Sequence, residues 1–435
     1  MYPLSPPAAY AHESVMADPR YHERMQRVLD ACDNEPKLTV YADEDVPGLL
    51  REGGLADRRK IMGTLDVIED PVLLFNTYRF DGNFEERREW AREQGFPNLN
   101  GLVAAMLGYG AFAWACYNLA DDPAGHDKVC RPCWRIHFQT GCVHKCHYCS
   151  LGGLLTTMVN VEDYIVELDR LMAAHPWQET FLLEDDADIP GLEPELGCLG
   201  PLIEHFGTLK DRYLLLHTKT WNVDWMLDLP HNGKTIIVWS ISGPTQSRVF
   251  EPVCGTTEER IEAARKCQDA GYQIRYKFKP IIPVRGWRED ATRTVDMIFD
   301  RTRPDVISLC AFMWMSAEEM KRRLDPAILD PDFLRAAEEA ADEMADTRTQ
   351  PFPEDVRAAI YEHHFDAIRR RDPEVPVSLS TENWRMWRRL GPKLGCTATS
   401  YVCGCGPNAT PGLRKLAVHP FNVARGGPQG EFQRM

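Results

Sequence analysis

From residue 134 to residue 311 the chain alternates between short runs of bulky apolar residues and longer stretches with helical spacing. The apolar runs at 134–139, 179–183, Tyr213–Thr218, 235–240, 273–280 and 306–311 predict six strands. Between them, Val161–Ala174 sets Tyr164, Ile165, Leu168, Leu171 and Met172 on one helical face. Further helices are predicted at 196–206, 260–270 and 290–299, with a short one near 223–227. The helix at 260–270 has marked ends: Thr256 and Glu259 make a capping box before it, and Gly271 stops it. Strands alternating with helices mean parallel βαβ units with right-handed crossovers. The expected class is therefore α/β. Six such units make a partial (β/α)6 TIM-like barrel, with ligands at the C-terminal ends of the strands.

The flanks read differently. Residues 1–125 are expected to be a mainly helical N-terminal region, with a charged helix at 85–94 and a small-residue apolar helix at 102–117 that contains Gly108 and Gly110. About the first 20 residues, rich in Pro and Ala, are expected to be poorly ordered. The barrel core is placed at 126–345. A C-terminal extension follows at 346–435, with acidic helix at 331–344 leading into it. That extension holds an amphipathic stripe (Val356, Ala359, Ile360, His363, Ala367), a strand at 375–380, and the cysteines Cys396, Cys403 and Cys405.

The totals narrow the function classes. A chain of 435 residues, 44% hydrophobic, is long enough to bury a large core. It has no apolar run of about 18 residues, so no membrane span is expected. The start Met1-Tyr2-Pro3-Leu4-Ser5-Pro6-Pro7 lacks a basic and an apolar leader region, so no secretory signal is expected. Fourteen cysteines without such a signal point to a reducing, cytoplasmic setting, with thiols as ligands or core residues. The net charge of -15, with no basic run beyond Arg369-Arg370-Arg371, disfavours a duplex nucleic-acid partner.

The chemistry concentrates after the first predicted strand. Cys142, Cys146 and Cys149 stand in the spacing C-x3-C-x2-C. An odd number of cysteines this close cannot pair off among themselves. Three thiolates at one metal centre leave a position open, and an open position is where a metal does chemistry. A [4Fe–4S] cluster fits this count. Structural zinc, completed by His144, His147, Cys130 or Cys133, and three unrelated buried thiols are the alternatives. Cys396, Cys403 and Cys405 form a second thiol set. It could hold a second iron–sulfur cluster or zinc, supply a hydrogen-atom donor, or be inert. Cys130-x-x-Cys133 fits a metal knuckle as well as an ordinary strand start. Cys32, Cys116, Cys254, Cys267 and Cys310 read as core or ordinary residues.

The cysteine stretch resembles that of the radical S-adenosylmethionine (SAM) enzymes. The resemblance continues through Thr218-Lys219, Val223-Asp224, His231-Asn232-Gly233-Lys234-Thr235, Phe250-Glu251-Pro252, Arg260-Ile261-Glu262-Ala263-Ala264, Ala270-Gly271-Tyr272 and Gly286-Trp287. These follow one another as in the spore photoproduct lyase family, whose members split a thymine dimer in spore DNA. The resemblance implies the partial barrel, a [4Fe–4S] cluster on Cys142, Cys146 and Cys149, and SAM as cofactor. It also implies an electron donor such as flavodoxin or ferredoxin. It sets Tyr148, Lys219 and Ser240 around SAM. An aromatic face suits adenine, and a cation and a hydroxyl suit the methionine carboxylate or the ribose.

The chain also departs from that family. Aligned on Asp188-Ile189-x-Gly191, Asp185 falls where the family carries its hydrogen-donating cysteine, and Ser150 falls where it carries a second tyrosine. A carboxylate has no weakly bound hydrogen to give. The radical-making motif is kept and the donor system is not, which implies a different substrate: a small or nucleoside-like molecule rather than duplex DNA. Glu184 and Asp185, after the second strand, are the candidate pocket acids, for an ammonium group or as a base. The competing readings are a repair lyase with its donor thiol relocated, and a non-enzymatic, metal-stabilised interaction protein.

Overall fold

The structure, a computed structural model, describes residues 1–58, 69–97, 101–115, 128–131, 133–184, 186–398 and 400–412. Its centre is a sheet in which strands succeed one another in space as they do in sequence: Phe112–Ala115, Cys133–Ile136, Thr180–Leu183, Tyr213–Thr218, Thr235–Ile241, Gln273–Ile281, Ile307–Ala311 and Val377–Leu379. All neighbours are parallel except the first pair, which is antiparallel. Helices Val161–Ala174, Leu199–Thr208, Thr257–Asp269 and Trp287–Arg301 make the crossovers. This is the expected α/β architecture, an open partial barrel. The strand at 377–379 joins the far edge, so the C-terminal extension adds a strand to the barrel rather than standing apart.

Capping and packing explain the helix limits. Thr256 accepts from the Glu259 N–H while the Glu259 carboxylate accepts from the Thr256 N–H, the box expected from sequence. The helix expected at 102–117 is shorter. It spans Gly101–Met106, and Phe112–Ala115 is instead a strand. Gly108 (φ 79°) and Gly110 (φ 100°) turn the chain where other residues are strained, and a Cβ on Gly108 would lie 2.5 Å from the Thr77 carbonyl oxygen. The strand then pairs Trp114 with Trp134, ring centroids 5.5 Å apart.

The N-terminal region has more helix than strand, yet it is built on a sheet that helical spacing did not announce. The order is Leu38–Tyr41, Ala9–His12, Val72–Asn76, Leu154–Met158, Gln139–Thr140. Its last two strands come from the core and flank the cysteine stretch. The run expected as one strand at 134–139 is thus divided: Cys133–Ile136 serves the barrel and Gln139–Thr140 the second sheet. The cysteine loop is therefore slung between two sheets. The expected disorder of the first residues is also corrected. Ala9–His12 pairs on both sides, which satisfies its backbone, and Tyr2 and Leu4 are 3% and 1% exposed.

One ion cluster in this region carries a pH dependence. Asp43 accepts two hydrogen bonds from Arg79, at 2.7 Å each, and lies 3.2 Å from Arg87 and from His12. Burial works against its charge, but His12 and the guanidinium groups prevail and lower its carboxyl to about 2. A depressed carboxyl contributes stability that is complete above its unfolded value of about 3.9 and lost as pH falls toward 2. Arg79→Met should therefore lose on the order of 2 kcal/mol at neutral pH and flatten the stability profile between roughly pH 4 and 2. Denaturant melts at stepped pH read both. An unchanged slope in the variant would sink the assignment.

Among the described residues no helix is long and apolar enough to cross a membrane.

Candidate active site

The cysteine loop is clamped before any side chain is considered. Gly141 (φ 97°) donates its N–H to the Asp186 carbonyl at 3.0 Å, and a Cβ there would stand 1.9 Å from the Leu154 carbonyl oxygen, so only glycine fits. Cys142 N–H donates to Leu151 O at 3.0 Å, and His147 N–H to Phe250 O at 3.0 Å. Lys145 pairs with Asp70 at 2.6 Å, tying the loop to the N-terminal region. His144 and Asp188, 2% and 4% exposed at their side chains, meet at 3.0 Å. Asp188 also accepts from the Thr218 hydroxyl (2.8 Å) and the Lys219 N–H (2.7 Å). Burial opposes its charge, yet His144 and these donors hold its carboxyl below the usual range. The Tyr2 ring closes over His144, edge to face at 4.9 Å.

Cys142, Cys146 and Cys149 all line one cavity of about 550 Å³ at the C-terminal ends of the strands. Tyr148, Lys219 and Ser240 line the same cavity, so the residues named from sequence are brought together. Behind them is a group the sequence reading did not assign. Glu251, fully buried, accepts from the Tyr148 hydroxyl at 2.6 Å, Lys219 Nζ at 2.7 Å, Arg260 at 2.5 Å and the Ser242 hydroxyl at 2.9 Å. Burial opposes a charge on Glu251, but Arg260 and Lys219 hold its carboxyl well below the usual range. Lys219 is likewise kept charged against burial by Cys146 and Glu251. Lys219 and Tyr148 are themselves in hydrogen-bond contact.

The thiols differ in their surroundings. Cys254 Sγ lies 3.5 Å from Cys146 Sγ, and Lys219 Nζ lies 4.0 Å from it. Cys254 first, and then Lys219 against the effect of burial, lower the Cys146 thiol to about 6. Burial raises Cys142 well up and Cys149 to about 11. A metal held by this loop would have to displace the protons that burial favours on Cys142 and Cys149. Among the described residues no three His, Cys, Asp or Glu groups are placed to hold a single metal ion. A cubane spreads its ligands over separate corner irons. Three thiols spaced around one cavity suit that group better than zinc, which draws its ligands onto one ion.

Two expectations change. Glu184 does not face the cavity. In a left-handed turn (φ 57°) its carboxylate swings under the lead-in to the loop, accepts from the Phe138 and Gln139 N–H groups at 2.8 and 3.2 Å, and lies 3.1 Å from His137. These N–H groups lie where the chain passes from one sheet to the other, and Glu184 takes the place of a ladder partner. Asp185 lies outside the described residues. The second thiol set is also regrouped. Cys396 is buried after helix Trp384–Leu394, with Arg369 as its charged neighbour, apart from the other two. Cys130 takes its place: it and Cys405 line the cavity, and Cys403 is in side-chain hydrogen-bond contact with Cys405.

Comparison with known proteins agrees with this geometry. Residues 130–316 match the family model described as spore photoproduct lyase. The matched stretch takes in the cysteine loop and the strands from Cys133–Ile136 to Ile307–Ala311, so this part of the chain is similar to the spore photoproduct lyases. The spore photoproduct lyase of Bacillus subtilis (strain 168) is 36% identical over 163 residues, 36% of this chain and 48% of that protein. The chain spans about half the length of the curated lyases it matches. A spore photoproduct lyase complexed with dinucleoside spore photoproduct superposes with a TM-score of 0.58 at 18% identity, over 87% of this chain and 98% of the other. A double mutant of the lyase with bound AdoMet and dinucleoside spore photoproduct gives 0.55 at 18% identity, with the same coverage. The likeness to these two structures is one of fold.

Proposed function

We propose that this protein is a radical SAM enzyme acting on a small or nucleoside-like substrate in a reducing, cytoplasmic setting. The observation that carries the reading is the convergence of three loop thiols, Lys219, Tyr148 and Ser240 on one cavity. Cys142, Cys146 and Cys149 would hold a [4Fe–4S] cluster, and Tyr148, Lys219 and Ser240 would surround SAM. When bound, these groups supply a 5′-deoxyadenosyl radical that takes hydrogen from a substrate C–H bond. The chain's own residues prepare the place. Lys219, charged and fixed by Glu251, offers a cation to a carboxylate without reorganising. The Tyr148 hydroxyl is committed to Glu251, which holds the ring in one orientation. His144 and Asp188 fix the loop and its position against Thr218. Electrons would come from a donor such as flavodoxin or ferredoxin.

The substrate reading rests on the net charge of -15 and on Asp185 where the family has its donor cysteine. A second reading, cleavage of the dinucleoside lesion itself, draws on the likeness in fold to the complexed lyase. The experiment is anaerobic reconstitution with iron and sulfide. Brown protein that releases 5′-deoxyadenosine from SAM and dithionite, and leaves dinucleoside spore photoproduct unconverted, is the expected result. Colourless protein holding stoichiometric zinc would overturn the radical reading, and turnover of the dinucleoside would overturn the substrate reading.

A further inference from the structure

The C-terminal tail enters the barrel. Arg275, fully buried and paired with Asp305 at 2.7 and 2.9 Å, donates to the carbonyls of Gly404 (2.9 Å), Ala409 (2.9 Å) and Thr410 (3.0 Å). The Glu179 and Thr180 N–H groups donate to Pro407 O at 2.9 and 2.8 Å, where the strand Thr180–Leu183 begins. Gly404 is pressed against the strand Ile307–Ala311: a Cβ there would stand 2.8 Å from Ser308 Oγ. So anchored, the tail sets Cys405 in the wall of the cavity that also holds the three loop cysteines. Lys277 Nζ lies 3.9 Å from Cys405 Sγ, and His217 stands beside it. Cys403, two residues back, is in side-chain hydrogen-bond contact with Cys405.

Cys405 therefore belongs to a pair of sulfurs opening on the reaction chamber. A radical chamber must be poor in loosely held hydrogen except where hydrogen is wanted. The loop thiols, once they hold a cluster, have no S–H left. The Tyr148 hydroxyl points its hydrogen at Glu251. Among the described residues the other thiols in the cavity wall are Cys130 and Cys405, and Cys405 is the one that the anchored tail carries in, with its sulfur 3.9 Å from Lys277 Nζ. We propose that Cys405 is the hydrogen-atom donor of this chamber, with Cys403 as the partner that stabilises the sulfur radical. The inference rests on the proposed radical function.

The step balances as follows. A carbon radical in the chamber takes hydrogen from Cys405: the S–H bond breaks, a C–H bond forms, and the unpaired electron stays on sulfur. Cys403, which supplies its proton to Cys405 when the latter is a thiolate, is then itself the thiolate that shares this electron in a sulfur–sulfur bond. One electron from dithionite returns the pair to two anionic sulfurs, and water restores the proton.

The test needs no substrate. Reconstituted protein is given SAM and dithionite in D2O, where S–H exchanges to S–D, and the 5′-deoxyadenosine is analysed for deuterium at its methyl carbon. Wild-type protein should yield deuterated product. Cys405→Ser and Cys405→Ala should lose most of the label while still cleaving SAM, and Cys130→Ala should keep it. Label retained in both Cys405 variants, or lost in Cys130→Ala instead, overturns the proposal. If no 5′-deoxyadenosine forms with any of these proteins, it is the radical function that fails. A second measurement uses cluster-free protein treated with diamide. The peptide map should show a disulfide between Cys403 and Cys405, and a map in which Cys405 stays reduced overturns the pair.

Discussion

Replacing Cys142, Cys146 and Cys149 together by alanine should remove all iron from anaerobically reconstituted protein and abolish SAM cleavage. Losing a group that merely orients a metal's ligands costs roughly 10–100-fold in affinity or activity, and losing the ligands costs more. The expectation is sharp because the other thiols are unsuited to replace them. Cys254 stands 3.5 Å from Cys146 but is outside the cavity wall, and Cys130 and Cys405 lie elsewhere in that wall. Iron counting and the visible spectrum decide it. Iron remaining in the triple variant would mean a second cluster on Cys130, Cys403 or Cys405. It would also undercut the donor role proposed for Cys405, since a ligated thiolate has no hydrogen to give.

Glu251→Ala should be the most destabilising single change at the site. Its carboxylate takes hydrogen bonds at 2.5 Å from Arg260, 2.7 Å from Lys219 and 2.6 Å from Tyr148. Removing it leaves two buried cations, Arg260 and Lys219, without their carboxylate partner, which costs about 3–5 kcal/mol. Glu251→Gln keeps the shape and some hydrogen bonds but not the charge, so it should fall between wild type and alanine. Lys219 loses the group that fixes it, so SAM affinity should fall with stability in both variants. Thermal melts and SAM titration of the reconstituted protein measure the two effects. A Glu251→Ala protein that melts with wild type would show that Lys219 and Arg260 are satisfied by other groups.

The loop cysteines and Glu251 also show what could be read in one dimension. The cysteines announce themselves because a cluster loop needs its ligands close together in the chain. Glu251 lies in the stretch Phe250-Glu251-Pro252, which carried the family resemblance but offered no reason to expect a charge there to be buried. Its role comes from Arg260 one helix on, Lys219 from another strand's end and Tyr148 from the loop. Glu184 is the converse case. Acidic residues after a strand suggest a pocket, yet a left-handed turn sends this one beneath the loop to hold two N–H groups. Spacing along the chain also suggested grouping Cys396 with Cys403 and Cys405, whereas the tail's path into the barrel puts Cys130 there instead. The N-terminal strands escaped for a related reason. Ala9–His12, four residues long, is too short to show alternation, and parallel neighbours on both sides make it a strand.

The alternation of apolar runs and amphipathic stretches determined the barrel. Tyr213–Thr218 and Val161–Ala174 have the same limits in the structure as in the pattern. The C-x3-C-x2-C spacing determined where its chemistry lies. Both are local signals, written by periodicity and by the short reach of a loop. Tertiary structure alone decided which carboxylates are buried with cations, which thiols meet, and that Cys405 lines the same cavity as the loop cysteines. The cost of burying a charge and the reactivity of a thiol are set by what packs around them, and those neighbours come from distant parts of the chain.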